Sequence, residues 1–196
     1  MVIGKIVKSN SHTDYVCQVY GPGEVGQPPA REDYAFGTFV RVPLNKGYWL
    51  VGIVYDTQLV NPDFGRLGPR LSPQSELAVF SPDYLNEKAT LVGIAAVGTT
   101  GGSGQSQGVP ALASSADTLV ERMTEEQVRS FHEGSPAPRV AYAPLLLAQG
   151  SPLALYLLRR VVERLLALFP SYASMLSVLQ DNLVWQSQIA PIGDTR

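Results

Sequence analysis

The chain has 196 residues, 45% of them hydrophobic, and a formal net charge of −2. It is long enough to bury a real core in one generous domain or two small ones, and its charge argues against a strong polyanion binder, which needs clustered Lys and Arg. The single cysteine, Cys17, excludes an intrachain disulfide and fits a reducing, cytoplasmic setting.

Residues 2–8 read as a first strand, 9–13 as a polar turn and 14–20 as a second strand. In the latter, Tyr15, Cys17 and Val19 alternate, which makes Cys17 a small core residue and not a nucleophile. The opening MVIGKIVK has neither an uninterrupted apolar region nor a small-residue cleavage site, so no signal peptide is expected. Residues 21–33 hold three glycines and three prolines and predict a long loop.

The stretch 37–58 predicts a hairpin. Thr38, Val40 and Val42 alternate with Phe39, Arg41 and Pro43. After the Asn45-Lys46-Gly47 turn, Trp49, Val51, Ile53, Tyr55 and Thr57 fall on one face. Gly52 interrupts that strand, and Leu50-Val51-Gly52-Ile53 recurs as Leu91-Val92-Gly93-Ile94, with Val2-Ile3-Gly4-Lys5-Ile6 similar in shape. Glycines at strand centres read as the bends of a small closed barrel. A surface excursion is expected around Asn61-Pro62-Asp63-Phe64-Gly65, a short strand over 76–80, a helical turn opened by Ser81-Pro82, and a closing strand over 90–97.

Residues 98–109 are the lowest-complexity segment and predict a glycine-rich linker. Beyond it the apolar period changes from two to about 3.6, so residues 110–196 predict a helical unit. One interrupted helix or two short ones are expected over 118–123 and 124–132, the second part opened by the capping-box pair Thr124 and Gln127. Ser151-Pro152 starts a helix over 153–169, whose Arg159, Arg160, Glu163 and Arg164 exclude a membrane span. Pro170-Ser171 starts the last helix, with Met175, Leu176, Leu179, Leu183 and Val184 as its apolar stripe, and the short connection predicts an antiparallel pair. The expected fold class is α+β, a small antiparallel β-barrel over 1–97 followed by helices.

Chemistry is sparse. The segment TTGGSGQS invites comparison with a phosphate-binding loop, but Gln105 stands where the lysine belongs and the glycine spacing is off by one. His12 and His132 have no partner at metal-ligand spacing, and His132 is expected to sit as an imidazolium at a helix C-terminus. The serines around Ser103, Ser114 and Ser115 fit no nucleophile elbow. Asp56, Asp63 and Glu76 are carboxylates at strand ends, where solvation is usual. Arg41, Arg66 and Arg70, interleaved with Tyr55 and Phe64, resemble a single-strand nucleic-acid surface in outline. No catalytic, cofactor-binding or metal residue is assigned, and no cofactor is expected. The broad apolar faces of the last two helices, around Leu155, Leu158, Leu166, Leu179 and Trp185, need a cover: a protein partner, a second copy or the barrel itself.

Ile3-Gly4-Lys5-Ile6-Val7, Gly37-Thr38-Phe39-Val40-Arg41-Val42 and the strand from Trp49 to Asp56 together resemble the HAS-barrel. That module stands at the N-terminus of HerA-type translocases and of rotary ATP synthase catalytic subunits. The resemblance implies a non-catalytic barrel that holds subunits together or contacts an accessory protein. It departs from HerA-type proteins in having no Walker A lysine in TTGGSGQS and helices where the ATPase core would follow. The implied role is an assembly or adaptor module, with an ATPase or nuclease as its partner class. A nucleotide-binding protein or enzyme using residues 98–106, and a single-stranded nucleic-acid-binding barrel, stand as the alternatives.

Overall fold

The structure is a computed structural model that describes residues 1–45, 47–61, 89–102 and 104–189, with backbone alone for 187–189. Seven strands are described: β1 (Val2–Ser11), β2 (Asp14–Val19), β3 (Phe39–Asn45), β4 (Tyr48–Val60), β5 (Ala89–Gly101), β6 (Gly104–Gln107) and β7 (Leu119–Arg122). They lie in the order β2-β1-β7-β3-β4-β5-β6, and β2 also pairs with β5. Six antiparallel strands therefore close into a barrel, with β6 as a spur on the end of β5. Closure leaves no long free edge within the ring. The excursion, strand and helical turn expected between Pro62 and Lys88 lie outside the described residues.

The central glycines do sit where the sheet bends. The register between β4 and β5 slips between Val51 and Gly52, and again between Val54 and Asp56. A Cβ on Gly52 would run into Ile94 Cγ2, and one on Gly93 would lie 2.9 Å from the Tyr55 ring. Side chains are excluded there by their neighbours, and the slips supply the curvature that closure requires.

Strands β3, β4 and β5 are buried on both faces. Val40, Val42, Leu50, Val54, Val92 and Ile94 fill the barrel with Ile3, Ile6 and Val120. Phe39, Val51, Ile53, Ala95 and Val97 point outward into a second core shared with the helices. The face begun by Val51 and Ile53 is thus real, but it is the outer one.

The helices are α1 (Glu125–His132), α2 (Ala143–Ala148), α3 (Ala154–Leu168) and α4 (Ala173–Ile189), the last entered through a 3-10 turn at Pro170–Tyr172. Thr124 and Gln127 cap α1 reciprocally, as their spacing predicts. Helix α3 starts at Ala154, after a turn in which the Leu153 N–H donates to Ser151 Oγ at 3.2 Å. Its residues Leu157, Leu158, Val161, Val162 and Leu165 are buried against the barrel's outer face and the neighbouring helices.

Three expectations are corrected. Residues 118–123 do not form a helix: β7 pairs with β1 and β3, placing Val120 inside and Glu121 outside, so the ladder overrides local helical propensity. The barrel therefore does not end at residue 97, and 98–109 is not a linker, because Gly98 to Gly101 pair with Gln107 to Gly104 as a hairpin. Its glycines serve close approach, since a Cβ on Gly101 would strike the Gly47 carbonyl. Finally, α3 and α4 turn through 115° and are not an antiparallel pair. The 3-10 turn at Pro170 swings α4 across α3. Among the described residues, no single helix is long and apolar enough to cross a membrane.

Candidate interaction surface

Helix α4 is seated by Leu176 and Leu183, which are buried in the helix-side core. Beside that seam, Tyr172 just ahead of the helix and Met175, Val178, Leu179 and Trp185 within it are exposed, Val178 at 69% and Trp185 at 60%. At about 100° per residue they share a stripe about 140° wide, neighbouring the seam. Asn182 and Gln186 are the polar positions on it. The helix sequence ASMLSVLQDNLVWQSQI has one charged residue, Asp181, which projects off the stripe. Helix faces left to water normally carry several charges, and this one does not.

The five leucine and tryptophan positions expected to form a contact surface divide. Leu158 is 2% exposed and belongs to the core between helix and barrel. Leu155 and Leu166 are half-buried and pack against that core. Leu179 and Trp185 are exposed together on α4. Met175, on the expected apolar stripe, is exposed, and Val178 joins it; the lack of charge along α4 was the sequence signal for both.

The other candidate residues are accounted for by structure. Gln105 Nε2 donates to the carbonyls of Ser130 (3.0 Å) and Glu133 (3.3 Å) at the end of α1. Gln107, two residues on and on the same side of β6, donates to the carbonyls of Phe131 and Arg139 at 3.0 Å each and accepts from the Ala141 N–H at 2.7 Å. The residue at the position of a phosphate-loop lysine thus satisfies carbonyls that a helix C-terminus leaves open.

His132 is fully buried, so the expected imidazolium is a neutral imidazole, its pKa lowered to about 4 chiefly by burial. Nδ1 lies 2.7 Å from the Val128 carbonyl, which only accepts, so Nδ1 carries the proton; Nε2, 2.7 Å from the Tyr142 hydroxyl, accepts from it. Phe39 and Phe131 meet the ring edge-on, each 5.2 Å away. His12 Nε2 donates to the Pro110 carbonyl at 2.7 Å. Cys17 is buried, and burial pushes its thiol up to about 12, so no thiolate is available at neutral pH.

Arg41 is held by Glu121, with Nε and Nη2 at 2.9 and 2.6 Å from Oε2, and its guanidinium lies 4.0 Å from the centre of the Trp49 ring. Tyr55 donates to Asp14 Oδ1 at 2.7 Å. Phe64, Arg66, Arg70, Asp63, Glu76 and Ser103 lie outside the described residues, and Asp56 accepts from the Thr57 N–H at 2.9 Å. Among the described residues, no three His, Cys, Asp or Glu side chains gather as metal ligands.

A comparison with curated proteins finds no match. The family model described as "Domain of unknown function (DUF8166)" matches residues 1–192, spanning barrel and helices alike, and the chain belongs to that family.

Proposed function

We propose that this chain is a non-catalytic assembly or adaptor module that acts through protein contacts, with the exposed stripe of α4 as its docking face. The observation that carries the reading is a helix seated by Leu176 and Leu183, about 25 Å long by its residue count, that presents apolar side chains to solvent with one charge along its length. Contiguous exposed apolar surface on a folded chain marks a contact site. The resemblance to the HAS-barrel makes an ATPase or nuclease the partner class to try first. In this reading the barrel is the base, α3 the spacer and α4 the contact.

The test is binding with and without the stripe. Full-length chain and the variants Val178→Glu and Trp185→Glu are compared for binding to candidate ATPases and nucleases by titration calorimetry, with circular dichroism to check folding. The reading expects binding by the parent chain and at least tenfold weaker binding by either variant. Micromolar binding of magnesium-ATP that is lost on deleting residues 101–104 would overturn it in favour of a nucleotide-binding protein.

A further inference from the structure

We infer that the docking face of α4 is filled by the same face of a second copy, the two helices packing antiparallel about a two-fold axis that passes between Val178 and Leu179. The inference rests on the reading of α4 as a contact face and names its occupant. In an antiparallel pair centred there, residue numbers that face each other across the axis have a constant sum. Tyr172 then meets the partner's Trp185, Val178 meets the partner's Leu179, and Met175 meets the partner's Asn182. The spacing of the exposed residues is therefore self-complementary, as a two-fold contact demands. Its ends bring two aromatic rings together, Asn182 falls opposite a thioether whose sulfur is a weak acceptor, and the second polar residue, Gln186, lies beyond Trp185 at the outer end of the contact.

Charge points the same way. Asp181 is the single charged residue of α4 and lies about 40° outside the Trp185 edge of the stripe, so pairing two copies leaves it on the rim and puts no charge at the centre of the contact. A partner selected by electrostatic complementarity would find nothing to read here. A membrane surface is the poorer occupant, because interfacial helices carry Lys or Arg on their polar face and α4 has neither.

Area sets the strength. Tyr172, Met175, Val178, Leu179 and Trp185 are 37%, 46%, 69%, 39% and 60% exposed, which amounts to roughly 500 Å² per copy and about 1,000 Å² for the pair. Specific interfaces start near that total, so the dimer is reversible, with a Kd on the order of micromolar.

Sedimentation velocity on the full chain from about 1 to about 100 μM should show a monomer–dimer equilibrium, weakened at least tenfold by Val178→Glu with an unchanged circular dichroism spectrum. The buried native thiol permits cross-linking with a short bifunctional maleimide. Val178→Cys should link to its own counterpart, whereas Trp185→Cys, about 20 Å from its counterpart along the helix axis, should not. Self-linking at both positions would overturn the antiparallel register, and a dimer indifferent to Val178→Glu would overturn the seam. A wild-type monomer at every concentration refutes the second copy. If Val178→Glu then abolishes binding to a purified ATPase or nuclease, or to zwitterionic vesicles, the face has another occupant. If no substitution on α4 changes any binding, the contact-face reading falls as well.

Discussion

Replacing His132 and Tyr142 together by phenylalanine removes the only side-chain hydrogen bond that reaches Tyr142 from His132 without leaving either partner orphaned, and it removes a proton site that opposes folding in acid. Burial lowers the His132 pKa from 6.5 to about 4; the bond to the Val128 carbonyl works against that shift, and the charge of Arg164 adds to it. The unfolded chain takes up a proton as pH falls through 6.5, whereas the folded chain does so only near 4. Stability from this site is complete above the unfolded value and is lost as pH falls toward the folded one. At about 1.4 kcal/mol per pH unit, the interval amounts to about 3 kcal/mol in full, of which about 2 kcal/mol is gone at pH 5. Guanidinium unfolding of the parent and the double variant at about pH 7.5 and about pH 5 isolates the effect, because the carboxylates common to both cancel in the difference. The parent's stability relative to the variant should fall by about 2 kcal/mol between the two conditions. A difference constant to within about 0.5 kcal/mol would show that His132 is not held neutral, and the argument from burial would fail.

Gln107→Ala should cost about 2 kcal/mol in urea unfolding, because it strips hydrogen bonds from three backbone groups at once; a cost no larger than that of an ordinary exposed substitution would contradict the tether. Phe131→Ala, in the core between helix and barrel, should cost about 3–5 kcal/mol, read in the same experiment. Cys17 should resist thiol reagents in the folded protein and react at its full rate once unfolded. Limited proteolysis should spare residues 98–101 and 104–107, which pair with each other as the ends of β5 and β6; early cleavage there would restore the linker.

The barrel was legible because alternation, turn residues and central glycines all favour the same strands, and the capping box of α1 was legible because it is local. Strand β7 was not. Leu119, Val120, Glu121 and Arg122 are four residues whose assignment depends on partners far away, Lys5 and Arg41 among them. The glycine-rich hairpin was missed for the opposite reason: low complexity reads as flexibility, whereas here the glycines admit the Gly47 carbonyl and the Tyr48 ring at distances no side chain allows. The run Leu50-Val51-Gly52-Ile53-Val54 carried an overlooked signal. An unbroken apolar run means that both faces of a strand are covered, and that alone would have seated the helices on the barrel and removed Leu158 from the contact surface.

Charge separates the two outer helices more sharply than hydrophobicity does. On α3 the side turned to water is closed by an ion-pair lattice, Glu163 accepting from both Arg159 and Arg160 at 3.1 Å, while Arg164 reaches Glu125 on α1. Exposed pairs of this kind add little stability, but they keep a helix face hydrated and discourage contact. Helix α4 leans on α3 through Leu176 and Leu183 and has no counterpart to that lattice. The two helices adjoin in sequence and share one core, so the contrast lies in how each outer face is finished. The inner and outer faces of the β3–β4–β5 arc are already filled by the barrel core and the helix-side core, and the outer side of α3 is closed by charge. That leaves the α4 stripe as a long apolar surface whose covering is not supplied from within the described chain, and it is where a contact adds most and disturbs the fold least.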